Sequence, residues 1–116
     1  MSVAYNIVID QGADWFFNVT YDQPDGTPVN LTGYTAAMQL RSYPNAPTAV
    51  LTLETGDGIT IDPLVGTLEL HATNTQTAAI DEGNYYYDLE ITAPGTGVIT
   101  RLIQGIAEVS AEVTRV

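Results

Sequence analysis

His71 is the only histidine in the chain, and the three serines are Ser2, Ser42 and Ser110. A histidine that works as a general base needs a nucleophile and an orienting group beside it. None of the serines lies in the Gly-x-Ser-x-Gly turn that presents an activated hydroxyl, so His71 reads as a polar residue closing a strand. Fourteen carboxylates invite two further chemistries. Glycoside hydrolysis needs a pair set across a cleft, whereas Asp81-Glu82 reads as a solvated turn and Asp88 with Glu90 as one outward strand face. Calcium needs several oxygens around one point. The nearest groupings are Asp22 with Asp25 and Asp57 with Asp62, and neither follows an EF-hand spacing. The chain has no cysteine, so disulfides, zinc–thiolate sites and thiol nucleophiles are excluded. The residue types predict no catalytic group, no cofactor and no metal.

Two aromatic triplets remain. In Trp15-Phe16-Phe17 and Tyr85-Tyr86-Tyr87, strand alternation sends the first and third members to one face and leaves Phe16 and Tyr86 on the other. Outward aromatics of this kind suit a protein interface or a sugar platform. Arg41, Arg101 and Arg115 carry all the fixed positive charge, and Arg115 near the C-terminus is placed to reach a partner. Asn18-Val-Thr20 and Asn30-Leu-Thr32 match the glycosylation sequon, a pattern short enough to arise by chance.

The elements that hold these residues are strands. Trp15–Tyr21 sets Trp15, Phe17, Val19 and Tyr21 against Asn18 and Thr20, and Asn84–Thr92 sets Tyr85, Tyr87, Leu89 and Ile91 against Tyr86, Asp88 and Glu90. Period-2 alternation marks a strand with one face in a core. Ala4–Ile9 reads as the first strand. Thr35–Arg41 reads as another, with Met38 and Leu40 inward and Gln39 and Arg41 outward. Val50–Glu54, Ile59–Asp62 and Gly66–His71 are short strands joined by Thr55-Gly56-Asp57-Gly58 and Pro63-Leu64-Val65-Gly66, each with the glycine a hairpin requires. Pro24-Asp25-Gly26 has tight-turn order. Thr73 with Gln76 has capping-box spacing and starts a short helix near residues 74–81. Ala93–Gly97 turns the chain into Val98–Ile106, and Ala107–Val113 alternates to the end. One domain over residues 1–116 is predicted, an all-β antiparallel two-sheet β-sandwich, Ig-like or jelly-roll-like.

Net charge is −11, and charged residues make up 15% of the chain against about 25% in ordinary globular proteins. An acidic field of this size repels nucleic acid and anionic lipid, which removes both as partners. No apolar run approaches the ~20 residues of a membrane span. Met1–Ile9 lacks the basic start and apolar stretch of a signal peptide. Soluble β proteins guard sheet edges with lysine; this chain has none, so a neighbouring chain is expected to cover part of its surface.

The segment order IVIDQGADWFFNVTY, DGTPVNLTGYTAAMQLR, LETGDGITIDPLVGTLEL, TNTQTAAIDEGNYYYDLEI and TRLIQGIAEVSAEVTR resembles a family of small accessory virion proteins of tailed bacteriophages, similar to the N-terminal attachment domains of baseplate upper proteins. The resemblance spans nearly the whole chain. It implies a non-enzymatic virion component assembled in the host bacterial cytoplasm: a tail, baseplate or neck adaptor, a fibre-attachment protein or a head decoration protein. A glycan- or receptor-binding module on the virion is the alternative. Other virion proteins and copies of the chain itself are the implied partners. Terminal strands Val3–Ile9 and Ala107–Val113 are the expected places for strand addition across subunits. Val3, Tyr5, Ile7, Phe16, Tyr86, Val109, Val113 and Arg115 are the expected interface residues.

Overall fold

The structure, a computed structural model, describes residues 3–114. Nine strands and one helical turn follow in order: β1 Val3–Ala4, β2 Ile7–Asp10, β3 Trp15–Thr20, β4 Thr35–Arg41, β5 Leu51–Thr55, β6 Gly58–Asp62, β7 Thr67–Ala72, α1 Asn74–Ala78, β8 Gly83–Thr92 and β9 Ile99–Ser110. Hydrogen bonding links them along the path β1-β9-β8-β4-β5-β6-β7-β3, with β2 also paired to β9. The sheet curls around one core, in which inward residues of β4 and β8 (Met38, Leu40, Leu89, Ile91) share a cluster with those of β6 and β7 (Ile59, Leu68, Leu70). Each large apolar side chain buried there contributes about 1.5–3 kcal/mol relative to exposure.

Alternation sorts the faces as the residue pattern predicts. Tyr85, Tyr87, Leu89 and Ile91 of β8 are buried, as are Met38 and Leu40 of β4, and Trp15 is buried while Phe17 and Val19 are half-buried. The short helix has the capping box: the Gln76 N–H donates to the Thr73 hydroxyl at 3.2 Å and the Thr73 N–H donates to the Gln76 side chain at 2.9 Å. It ends at Ala78, short of the predicted extent.

Four expectations are corrected. The first strand is broken at Tyr5-Asn6, and both halves run parallel to β9, so the sheet is not wholly antiparallel. The break sits over Gly105, where a side chain would collide with the Tyr5 carbonyl and come within 2.9 Å of Asn6 Oδ1. Asn6 Oδ1 in turn accepts from the Ile106 N–H at 3.0 Å. Second, Thr55-Gly56-Asp57-Gly58 is no hairpin. Only Glu54 with Gly58 and Thr55 with Ile59 pair, in parallel sense, and Gly58 at φ +102° turns the chain away from β5 toward β7. The Pro63–Gly66 connection does form a hairpin, since β6 and β7 are antiparallel.

Third, the two C-terminal segments form the single strand β9. Fourth, the terminal strands are not both free for a partner, because β1 and β2 already occupy one edge of β9 and β8 the other. Ile7 and Val109 accordingly point into the core and are buried.

Candidate binding surfaces

The outward face of β4, β8 and β9 gathers most of the polar chemistry. Register places Gln39 beside Asp88 and Arg41 beside Tyr86, then Asp88 beside Gln104 and Tyr86 beside Ile106. Arg101 joins them through a bulge. Leu89 pairs with Ile103 but Glu90 pairs with Arg101, so Leu102 is the extra residue. A bulge shifts strand phase by one, so Leu102 and Ile103 are both buried and Arg101 turns outward. Without it, Arg101 would share the inward phase of Ile103 and Ala107.

These side chains line an open groove of about 530 Å³. The Arg101 guanidinium lies 3.4 Å from Asp88 and 3.8 Å from Glu90, and it donates to Gln104 at 2.8 Å. Arg41 donates to the Ala46 carbonyl at 2.7 Å and to Gln39 at 2.8 Å. Exposed pairs of this kind contribute about 0–1 kcal/mol; here they fix side-chain directions around the half-exposed Tyr86 ring. Arg41 and Arg101 both stand on this one face.

The second surface is the opening of the curled sheet, bounded by β1–β2 on one side and β3 on the other. Tyr5 stacks on Phe17 with centroids 5.5 Å apart, and Phe17 stacks on Trp15 at 5.7 Å. Val3 and Tyr5, at 61% and 51% exposure, belong to β1 and the break beside the opening, while Val8 and Phe16, at 55% and 61%, stand on the outward faces of the bounding strands β2 and β3. Of the expected interface residues, the structure exposes Val3 and Tyr5 beside the opening, sets Phe16 on the outward face of β3, puts Tyr86 in the groove and leaves Val113 exposed. Arg115 lies outside the described residues. Val8 is exposed as well: β1 and β2 keep one register on β9 across the break, so Ile7 and Ile9 face the core and Val8, paired with Glu108, faces outward.

His71 is held by stacking. Its ring lies flat on Phe16, 4.3 Å between centroids, and Nε2 is 3.7 Å from Asp14 Oδ1. Asp14 is committed elsewhere, accepting the Asn74 N–H at 2.7 Å at the start of α1. Among the described residues no group of three or more His, Cys, Asp or Glu could hold a metal ion. Asp25, one of the calcium candidates, accepts from the Thr27 N–H and hydroxyl in a turn, and these bonds hold its carboxyl below the usual carboxylate range.

No protein-family model matches the chain, and no curated protein matches it. Among solved structures, NK cell receptor Nkp44, a triggering partner in natural cytotoxicity, superposes with a TM-score of 0.55 at 15% identity, over 94% of this chain and 100% of that one. The fold is Ig-like. Tim-1 aligns over 99% of both chains at 12% identity with a TM-score of 0.43.

An Ig-like fold explains a bond that the residue pattern alone left unread. The Tyr85 hydroxyl donates to the Asp81 carbonyl at 2.7 Å, the tyrosine corner of such folds, and burial pushes its pKa up, helped by the nearby Asp81 charge. Two residues on, where antibody domains carry their second cysteine, stands Tyr87. Its buried hydroxyl donates to the Tyr5 carbonyl and ties β8 to the break between β1 and β2. The signal was present in Asp81-Glu82-Gly83-Asn84-Tyr85-Tyr86-Tyr87, but without a cysteine nothing marked it.

Proposed function

We propose that the chain is a non-enzymatic structural component of a tailed-phage virion, docking on a symmetric assembly as a tail, baseplate or neck adaptor or a fibre-attachment protein. The observation that carries this reading is exposed apolar surface on the strands at the two ends of the sheet: Val3, Tyr5, Val8 and Phe16 are each more than half exposed there, in a chain without lysine. Burial against a neighbour stabilises by about 25 cal/mol per Å² of apolar area, before the cost of association. The resemblance to baseplate attachment domains supplies the setting. The finer architecture in this proposal is a two-sheet sandwich, with β3, β7 and β6 facing β9, β8, β4 and β5 across the core and Gly58 at the corner between sheets.

Truncating β1 and β2 would remove Ile7 and Ile9 from the core, so the test is a surface substitution. Val8→Lys is expected to leave the fold intact and to abolish incorporation into particles. Incorporation at the wild-type level would overturn the reading.

A second reading is favoured by the groove, where Tyr86 stands among Gln39, Asp88, Arg101 and Gln104. An aromatic face ringed by fixed donors and acceptors matches the chemistry of a glycan. Failure of the chain to bind any sugar on a glycan array would remove it.

A further inference from the structure

The outer edge of β3 is open. β3 ends the strand order, pairing with β7 and, among the described residues, with nothing on its other side. The Tyr21 N–H donates to the Gly66 carbonyl at 2.8 Å, which sets the phase of the β3–β7 ladder. Trp15, Phe17 and Val19 exchange hydrogen bonds with β7, and Phe16, Asn18 and Thr20 turn their peptide groups outward. From Trp15 to Tyr21 the edge has no charge, proline or bulge, the devices that keep exposed edges from pairing. Across the opening, Tyr5 of the β1–β2 break stacks its ring on Phe17.

The charge around this edge selects its occupant. Asp14 and Asp22 flank β3, Glu69 lies opposite Asn18, and Asp62 lies opposite Thr67 on the next pair of strands, all exposed. Arg41 and Arg101 belong to β4 and β9, at a distance from it along the sheet. A second copy fits poorly. Two-fold antiparallel pairing centred on Asn18 sets Asp14 against Asp22 of the other copy, and like charges directly opposite destabilise a sheet.

We propose that the β3 edge accepts, by strand addition, an extended segment of a different protein that carries arginine or lysine on alternate residues. Main-chain bonds to Phe16, Asn18 and Thr20 supply affinity, and the flanking carboxylates supply selectivity. This rests on the docking reading above and gives it a partner chemistry.

The probe is a labelled nine-residue peptide of alternating valine and arginine, with two controls: glutamate in place of arginine, and a backbone N-methylated version. Binding is followed by fluorescence anisotropy, and the contacted amides by hydrogen exchange. The Val/Arg peptide is expected to bind and to slow exchange at Phe16, Asn18 and Thr20. The glutamate and N-methylated peptides are expected to bind at least tenfold more weakly. Asn18→Pro, which removes an outward N–H, and Asn18→Lys, which keeps the backbone and reverses local charge, should each weaken binding at least tenfold. Equal binding of the N-methylated peptide, exchange protection confined to other strands, or a wild-type dimer abolished by Asn18→Lys would each overturn the proposal. If these fail while Val8→Lys still blocks incorporation, the β3 inference alone falls.

Discussion

The ring of Tyr5 lies on the ring of Phe17, 5.5 Å between centroids and 23° from parallel, and this stack joins the two ends of the curled sheet. Tyr5 belongs to neither β1 nor β2 but to the break between them. Its main chain is held on β9 by a bond from its N–H to the Gln104 carbonyl at 2.8 Å. The side chain is therefore free to reach across to β3.

Tyr5→Ala should remove the stack while leaving the backbone bonds in place. Aromatic pairs contribute about 0.5–1.5 kcal/mol beyond area burial, so the urea midpoint should fall by an amount equivalent to about 1 kcal/mol. Hydrogen exchange at β3 should quicken. An unchanged midpoint would show that the stack adds nothing to stability.

Tyr85→Phe should cost about 1 kcal/mol, the net worth of a single hydrogen bond, by deleting the bond to Asp81. The phenyl ring still fills the same buried space, so near-ultraviolet circular dichroism should retain its form while the melting temperature drops by about 4–8 °C.

Thr77 is the one fully buried polar side chain among the described residues. Its hydroxyl donates to the Ala13 carbonyl at 2.9 Å and accepts the Gly12 N–H at 3.0 Å, which pins α1 to the β2–β3 turn. Thr77→Val keeps the volume and strands both backbone groups. The expected loss is about 2 kcal/mol, measurable by denaturant titration, and Thr77→Ser should recover most of it.

Burial, with a smaller contribution from Tyr5, pushes the Tyr87 pKa from 10.0 up to about 12. A raised folded value means that the fold favours the neutral hydroxyl. This contribution is complete below pH 10 and is lost as the pH climbs toward 12. Stability measured by denaturant should decline across that window, and Tyr87→Phe should flatten the decline while lowering stability at neutral pH. An identical alkaline decline in the variant would contradict this role.

Strands were legible where one face meets the core along their whole length. Thr35–Arg41 and Asn84–Thr92 announce themselves because Met38, Leu40, Leu89 and Ile91 recur with period 2, and the bounds match to within a residue. Breaks and bulges were not legible. The break at Tyr5-Asn6 depends on how closely Gly105 lets another strand approach, and the bulge at Leu102 depends on pairing with β8. Both are contacts between segments about 100 and 13 residues apart, which no local pattern encodes. The bulge decides that Arg101 lies in the groove, and the pairing of β2 with β9 decides that Ile7 is core and Val8 surface. The parallel pairing of β1 and β2 escaped for the same reason, since a strand's own residues do not name its partner.

The most direct test is a density map of an assembled particle that contains the chain. The account predicts that Val3, Tyr5, Val8 and Phe16 are covered by a neighbouring subunit. Particles without the chain, or a chain in which these four residues face solvent while other surfaces make the contacts, would contradict it.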